Sequence, residues 1–536
     1  MKKLIALLLV LTLLALNLAA CGKKDNAAST TEKPSAESES PAETDPVPHE
    51  TIPQDPNHAS AGENGSTVET RAVDTSPFTE TDGKVSYVLI YNPHIYDESK
   101  YWNETLNTGS LGDQIDISMH RADELEPLEP EFLPFTQPNA AELFGGREDD
   151  LNEFRAGGLQ PDYQVGDTHD FYVTLGGTDA VRTLNTFDCL YSGEHCCVWS
   201  LGDSITTAAA EGIGTEFDEV IYETDVRLFG EPRYADEGGK VHLLYYPLGQ
   251  GLLGYFSLID LFATGEWDDE TVSYYSMNLD HAIVHLNSLF AQDSRYEEMV
   301  YSTTAHEFQH LINASDIFTR MELYFSSTWL NEAMSGYVEE YLFPGVKNDE
   351  GHYDAFCHSE RIRHGQSMFN FETDSWDIGV YGSVFLFSEY LADIAGEEVF
   401  HGIHDYWRYS FSPTLDDAES IYYSVPEEMQ EAISEAYVYP DTVRFDTNEQ
   451  EWLSKLILDY YLSLLCFDEE DPETYANVEA QTLLYDEINP ADIEGGGRVI
   501  VATVNGTYEV PEDADYGLLY IGLDEHFRPI TNIFYK

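Results

Sequence analysis

The stretch TTAHEFQHLINA, residues 303–314, puts His306 and His310 four positions apart in a run free of Pro and Gly. On a helix that spacing sets both imidazoles on one side, one turn apart, so that they can converge on a single ion. The longer run SRYEEMVYSTTAHEFQHLINA opens on a Ser able to cap and spaces Met299, Ala305, Phe308 and Ile312 as one buried face, which predicts a helix. H-E-x-x-H alone is a weak signal, since chance supplies it in roughly one or two chains per hundred of this length. The second half of the pattern is STWLNEAMSGYVEEYLF, where Leu330, Met334, Val338 and Leu342 form an apolar stripe and Glu332 lies off it. A carboxylate added to two histidines leaves a fourth position open, the arrangement of catalytic zinc as opposed to a closed structural site. Glu307, the next position round the helix, lies beside the ion and can take a proton from water that the metal has acidified. Glu339, seven residues after Glu332, shares its face.

A chain of 536 residues has room for two to four domains. Lys and Arg number 26 against 99 Asp and Glu, a net charge of −73, which argues against nucleic acid as a partner and for a strongly solvated surface. MKKLIALLLVLTLLALNLAAC has basic residues, an apolar run and small residues before Cys21, the pattern of a bacterial export signal over 1–20. LAAC is similar to the site at which a cysteine is lipidated, so Cys21 is the expected lipid attachment and the membrane a partner through it. Residues 21–80, rich in Ser, Thr, Glu and Pro, have too little apolar surface to offset ordering and are expected to form a disordered stalk. The body is then expected outside the cell, tethered to its membrane.

From 81 to 205 short alternating stretches, KVSYVLIYN, THDFYVTL and HCCVWSLGD, predict an N-terminal β-rich domain. Its cluster Cys189, His195, Cys196 and Cys197 invites a zinc reading, but adjacent strand cysteines point to opposite faces, so a buried thiol plus a disulfide is the better expectation. Residues 206–470 alternate helix and strand patterns and contain both halves of the metal motif, while RVIVATVNGTYEV and YGLLYIGL predict a small β domain over 478–536. HAIVHLN, residues 281–287, alternates as a strand just before the motif helix. YADEGGK shows fewer oxygen ligands than a calcium loop requires and reads as a tight turn, which leaves Ca2+ a secondary candidate.

HEFQHLI followed by WLNEAMSGYVEEYL resembles the gluzincin zinc metallopeptidases. The run FDEVIYETDVRLFGE, KVHLLYY, GYFSLID, AHEFQHLIN and WLNEAMS is similar to the hyicolysin family of secreted bacterial metallopeptidases over roughly residues 160 to 400, with a fainter likeness to the C-terminus. The resemblance implies an α+β fold, a zincin-type catalytic domain with a mixed-sheet lobe and a helical lobe, here flanked by the N-terminal and C-terminal β domains. It implies one Zn2+ on His306, His310 and Glu332, with Glu307 as general base in the hydrolysis of polypeptide substrates. NEAMSGYVE also resembles the aminopeptidase branch, which suggests Glu339 as the partner of a ligand histidine. Thermolysin-like members carry an Asp four residues after the ligand Glu, where this chain has Gly336.

Tyr381, at the start of YGSVFLFSEYLADIAG, resembles the tyrosine that steadies the oxyanion in related enzymes, against the alternative of ordinary core packing. His358 and His364 are read as surface histidines. In gluzincins the strand before the motif helix pairs with extended substrate, so Ala282, Val284 and Leu286 mark the expected substrate edge. No G-x-M-E-N signature for a free N-terminal amine is present, which favours an endopeptidase over an aminopeptidase. The rival from another class is a surface binding lipoprotein on a degenerate zincin scaffold.

Overall fold

The computed structural model describes residues 85–95, 162–175, 182–232, 239–248, 253–261, 278, 281–318, 328–344, 352–370, 379–409, 417–439, 443–465, 484, 493–503 and 517–535. The expected signal, Cys21, the stalk and most of YADEGGK lie outside these residues.

Two sheets and a block of helices make up the α+β body. The first sheet has the order β2-β3-β4-β5-β7-β6. Its strands are β2 (Thr168–Val173), β3 (Thr183–Ser192), β4 (Cys196–Ser200), β5 (Val241–Tyr246), β6 (Gly254–Phe256) and β7 (Ile283–Asn287). β4, β5 and β7 run parallel, and the outer pairings are antiparallel. CCVWS, VHLLYY and IVHLN are buried along their whole length, as parallel strands covered on both faces must be. Side chains alternate between two cores: Leu243 and Tyr245 join the large helical core, Leu244 and Tyr246 the smaller one on the opposite face.

Helix α1 (Thr207–Glu216) follows β4, with the Thr206 side chain accepting the Ala209 N–H as its N-cap. A π-helical turn over Phe217–Ile221 joins it to α2 (Tyr222–Phe229). Helices α3 (Glu297–Phe318), α4 (Thr328–Leu342), α5 (His352–His358) and α6 (Gly379–Ala395) pack on the large core, and α7 (Glu398–Tyr409) rests against α2 and α3. A later helix, α8 (Asn448–Leu465), is buried almost throughout and reaches the second sheet, where Tyr91 Oη donates to the Ser454 carbonyl at 2.9 Å.

That second sheet has the order β10-β9-β1-β8. β1 (Tyr87–Tyr91) lies between β8 (Arg498–Ala502) and β9 (Leu519–Leu523), and β10 is Pro529–Tyr535. Tyr87 faces Ala502 on one side and Leu523 on the other. The sheets therefore cut across the expected boundaries: β1, from the segment read as an N-terminal β domain, pairs with the C-terminal strands, and β2 to β4 continue into the sheet of the helical body. The reason is burial. YVLIY puts Leu89 and Tyr91 in the large core and Val88 and Ile90 in a second cluster, so it needs partners at both edges as well as cover on both faces.

The four cysteines among the described residues, Cys189, Cys196, Cys197 and Cys357, are all buried and none is in a disulfide, so the expected disulfide is not formed among the described residues. Cys196 points into the large core while Cys189 and Cys197 point into the smaller one, and His195 stacks on Tyr222 with rings 3.7 Å apart. The strand geometry that argued against one ion shared by Cys196 and Cys197 is the geometry found.

Candidate metal centre

α3 begins after a capped turn, in which the Asp293 side chain accepts the Arg295 N–H, and carries Glu297 and Glu298 in its first turn, where the helix dipole favours negative charge. Phe308 packs edge-on to Phe217 at 5.0 Å and stacks on Tyr222 at 5.5 Å. α4 and β6 pack on other sides of the helix, and Thr303, Thr304, His306, Glu307, Gln309 and His310 all lie inside. α4 is buried from Trp329 to Glu339. Gly336 faces Phe385 of α6, and an added Cβ would lie 3.5 Å from that side chain, an ordinary packing distance.

The helix pair brings His306, His310 and Glu332 together, with one ligand atom of each within 4.8 Å of the others. The imidazoles stand perpendicular, at 89° with centroids 4.6 Å apart. His306 Nε2 lies 3.4 Å from Glu332 Oε2, and His310 Nε2 lies 3.6 Å from Glu332 Oε1. Donors held ~2.1 Å from a tetrahedral ion sit ~3.4 Å from one another, so these separations match the edges of such a site.

Polar groups stand behind both rings. His306 Nδ1 is 3.0 Å from Glu339 Oε1, and a carboxylate at that distance favours the proton on Nδ1, which leaves Nε2, 3.4 Å from Glu332, as the ligand nitrogen. His310 Nδ1 is 3.1 Å from Ser335 Oγ. The Ser335 hydroxyl has the Asn331 carbonyl at 2.7 Å and Gln309 Oε1 at 2.8 Å to donate to, and its oxygen accepts the Nδ1–H. His310 Nε2 is then a buried lone pair with no hydrogen-bond partner among the described residues. Burial first, and the neighbouring His306 second, hold the His310 pKa well below that of a free imidazole, which keeps the ring neutral and able to ligate at neutral pH. Two imidazole nitrogens and a carboxylate oxygen converging within 4.8 Å of one another fit a metal ion.

Glu339 is the residue whose loss tests this orientation. Glu339→Gln removes the charged acceptor behind His306 and is expected to weaken metal affinity by about 10- to 100-fold. Competition with a chromogenic chelator measures it, and an unchanged affinity would deny Glu339 the role.

Glu307 is fully buried beside the triad. Next to it lies β6, and not the strand expected as the substrate edge. β7, with Val284 and Leu286, sits between β5 and β6, and Ala282 just before it gives its carbonyl to the His242 N–H at 2.7 Å. β6 closes the described sheet, antiparallel to β7, with Gly254 opposite Leu286 and Phe256 opposite Val284. A three-residue GYF segment is too short to show alternation, which hid it in the sequence. A Cβ on Gly254 would lie 3.0 Å from Thr303 Cγ2, 3.1 Å from Glu307 Cγ and 3.1 Å from the His285 carbonyl oxygen, so glycine is what lets the strand approach the helix. Gly254→Ala is expected to lower kcat/KM by about 10-fold with metal retained, because contacts of 3.0–3.1 Å displace the strand or Glu307 and a displacement at a reacting centre is felt in the rate. Full activity in the variant would remove β6 from the site.

Tyr381 lies in the first turn of α6, its ring edge-on to His352 at 6.1 Å. His352 lines, with Ser302, Gly336, Glu339 and Phe385, a small recess that reaches the carboxylate behind His306. His358 and His364 are exposed. Two residues of this region were not read from the sequence. Ser335 sits three positions after Glu332, on the next turn of α4. Asp225 on α2 is wholly buried, and neither of its carboxylate oxygens has a hydrogen-bond partner among the described residues. Burial raises its pKa well above the usual carboxylate range, with His306 acting in the opposite sense. The spacing of Tyr222, Asp225 and Leu228 along one helical face was the available sign that Asp225 is internal.

No family model matches the chain. The neutral metalloprotease ShpI of Staphylococcus hyicus is 29% identical over 227 residues, 40% of this chain and 49% of that protein. The chain thus spans about half the length of the curated relative it matches. This likeness and the convergence of His306, His310 and Glu332 together support a metalloprotease family for this chain.

Proposed function

We propose that the protein is a zinc metalloendopeptidase of the gluzincin type, similar to the hyicolysins, that cleaves peptide bonds of extracellular proteins. The observation that carries this reading is the buried set of His306, His310 and Glu332 with Glu307 alongside and an edge strand passing over it. Two imidazoles and one carboxylate are the donor set of catalytic zinc, and zinc held there would supply a Lewis acid that lowers the pKa of water toward neutrality and polarises a carbonyl.

The chain's own residues supply the remaining roles. Glu307 accepts the proton of the attacking water and hands it to the departing amine, a shuttle that needs an ionised carboxylate first and a carboxylic acid second. Glu339 and Ser335 hold the ligand imidazoles in their tautomers. β6, paired on one side only among the described residues, offers its other edge to an extended peptide, which favours cleavage within chains over trimming of their ends. Tyr381 is the candidate donor to the developing oxyanion, on its place in the first turn of α6. The export signal and the LAAC motif at Cys21 add a lipid tether at the outer face of the bacterial membrane, with residues 21–80 as a spacer.

The test is casein hydrolysis by the purified chain with and without a chelator. Cleavage that the chelator stops and added zinc restores is the expected result. Bound metal without chelator-sensitive cleavage would favour a surface binding protein, and cleavage that is lost when the substrate's N-terminus is blocked would favour an aminopeptidase.

A further inference from the structure

On the face of the first sheet turned away from α3, Tyr255 of β6 stacks on its cross-strand neighbour His285, rings 4.2 Å apart and 3° from parallel. Tyr246 of β5 reaches both: its Oη lies 2.9 Å from Tyr255 Oη and 2.9 Å from His285 Nδ1. His285 Nε2 lies 2.9 Å from Asp260 Oδ2. Asp260 stands in the turn Leu258–Leu261, immediately beyond β6. Its carboxylate also receives the Arg182 guanidinium in a two-pronged pair at 2.7 and 2.8 Å and the Asn278 side-chain amide at 2.9 Å.

The protons in this chain have one consistent placement. Burial opposes the charge of Asp260, but the Arg182 guanidinium and the His285 hydrogen bond outweigh it and hold the carboxyl well below its usual range. An ionised Asp260 only accepts, so His285 carries its proton on Nε2 and accepts from Tyr246 at Nδ1. The Tyr246 oxygen in turn accepts from Tyr255. Every member is therefore oriented by the next, and the sequence of bonds ends on one charge beyond the far end of β6.

β6 is three residues long and, among the described residues, is paired on one side only. So short a ladder holds a strand weakly. The same strand is the one whose Gly254 stands against Thr303 and Glu307 on the opposite face of the sheet. We propose that Asp260, with the His285, Tyr246 and Tyr255 chain that ends on it, is a positioning network that fixes β6 at its distance from Glu307 and so sets how an extended peptide is held for cleavage. The proposal rests on the peptidase reading and adds the residues that act through the edge strand.

Tyr246→Phe removes both hydroxyl bonds and keeps the ring, while Asp260→Asn strikes the charge itself. Each is made in the full chain and measured on one series of peptides of increasing length, with metal content and backbone amide exchange over residues 253–257. For Tyr246→Phe the expected result is a loss of about 10-fold or more in kcat/KM, carried by KM, for peptides long enough to run along β6. Short peptides and metal content change little, and exchange along β6 quickens by a similar factor. A merely structural lesion would instead lower metal content and all substrates together. If Asp260→Asn does not fold, Tyr246→Phe alone decides. A folded, metal-loaded variant with the wild-type ratio of long to short kcat/KM and wild-type exchange in β6 overturns the proposal. A wild-type chain that cleaves nothing sinks the peptidase reading instead, and the exchange measurement still decides whether the network fixes β6.

Discussion

Glu307→Gln is expected to lower the rate of peptide hydrolysis by about 10²- to 10⁴-fold, the usual contribution of a positioned general base. Glutamine keeps the volume and the buried packing of a side chain that is wholly inside, so the fold and the metal should survive. What it lacks is an oxygen able to take a proton at neutral pH. Because the lost step belongs to the transition state, the fall should appear in kcat with KM near that of the wild type. Steady-state kinetics beside a metal determination separate the effects. A variant that keeps its metal and loses less than about 10-fold in kcat would deny Glu307 the role of base.

Glu332→Ala should have the larger effect on the metal. Two neutral imidazoles remain, and the third donor and the only negative charge among the three ligands are gone. Affinity should fall by more than the about 10- to 100-fold expected when a partner behind a ligand is removed, and hydrolysis should vanish at micromolar zinc. The expected contrast is with Glu307→Gln, which is inactive but loaded. Equal metal content in wild type and Glu332→Ala would place the ion elsewhere.

The ligand set was legible in the sequence because it sits on two helices whose geometry is local. His306 and His310 meet by their spacing, and Glu332 and Glu339 share a face by theirs. Glu339 also shows why Gly336 can stand where an acidic residue is expected: the carboxylate one turn further on reaches His306 Nδ1. Strand pairing was not legible. Alternation in YVLIY marks a strand but carries no information about partners some four hundred positions away, and it was the need to cover both faces that decided them. The edge strand escaped for a related reason, since HAIVHLN has the clearer strand pattern but is buried along its whole length inside the sheet, while GYF at the described edge is too short to show any pattern. Asp225 was missed because a carboxylate is ordinarily read as solvated, although it repeats with the apolar residues of its helix.

The most direct test of the central claim is the metal content of the purified chain after equilibration with zinc, determined by elemental analysis for the wild type and for a His306→Ala, His310→Ala double variant. One equivalent per wild-type chain, absent from the double variant while its circular dichroism matches the wild type, is the predicted result. A wild-type chain that takes up no metal, or a double variant that still holds a full equivalent, would contradict it.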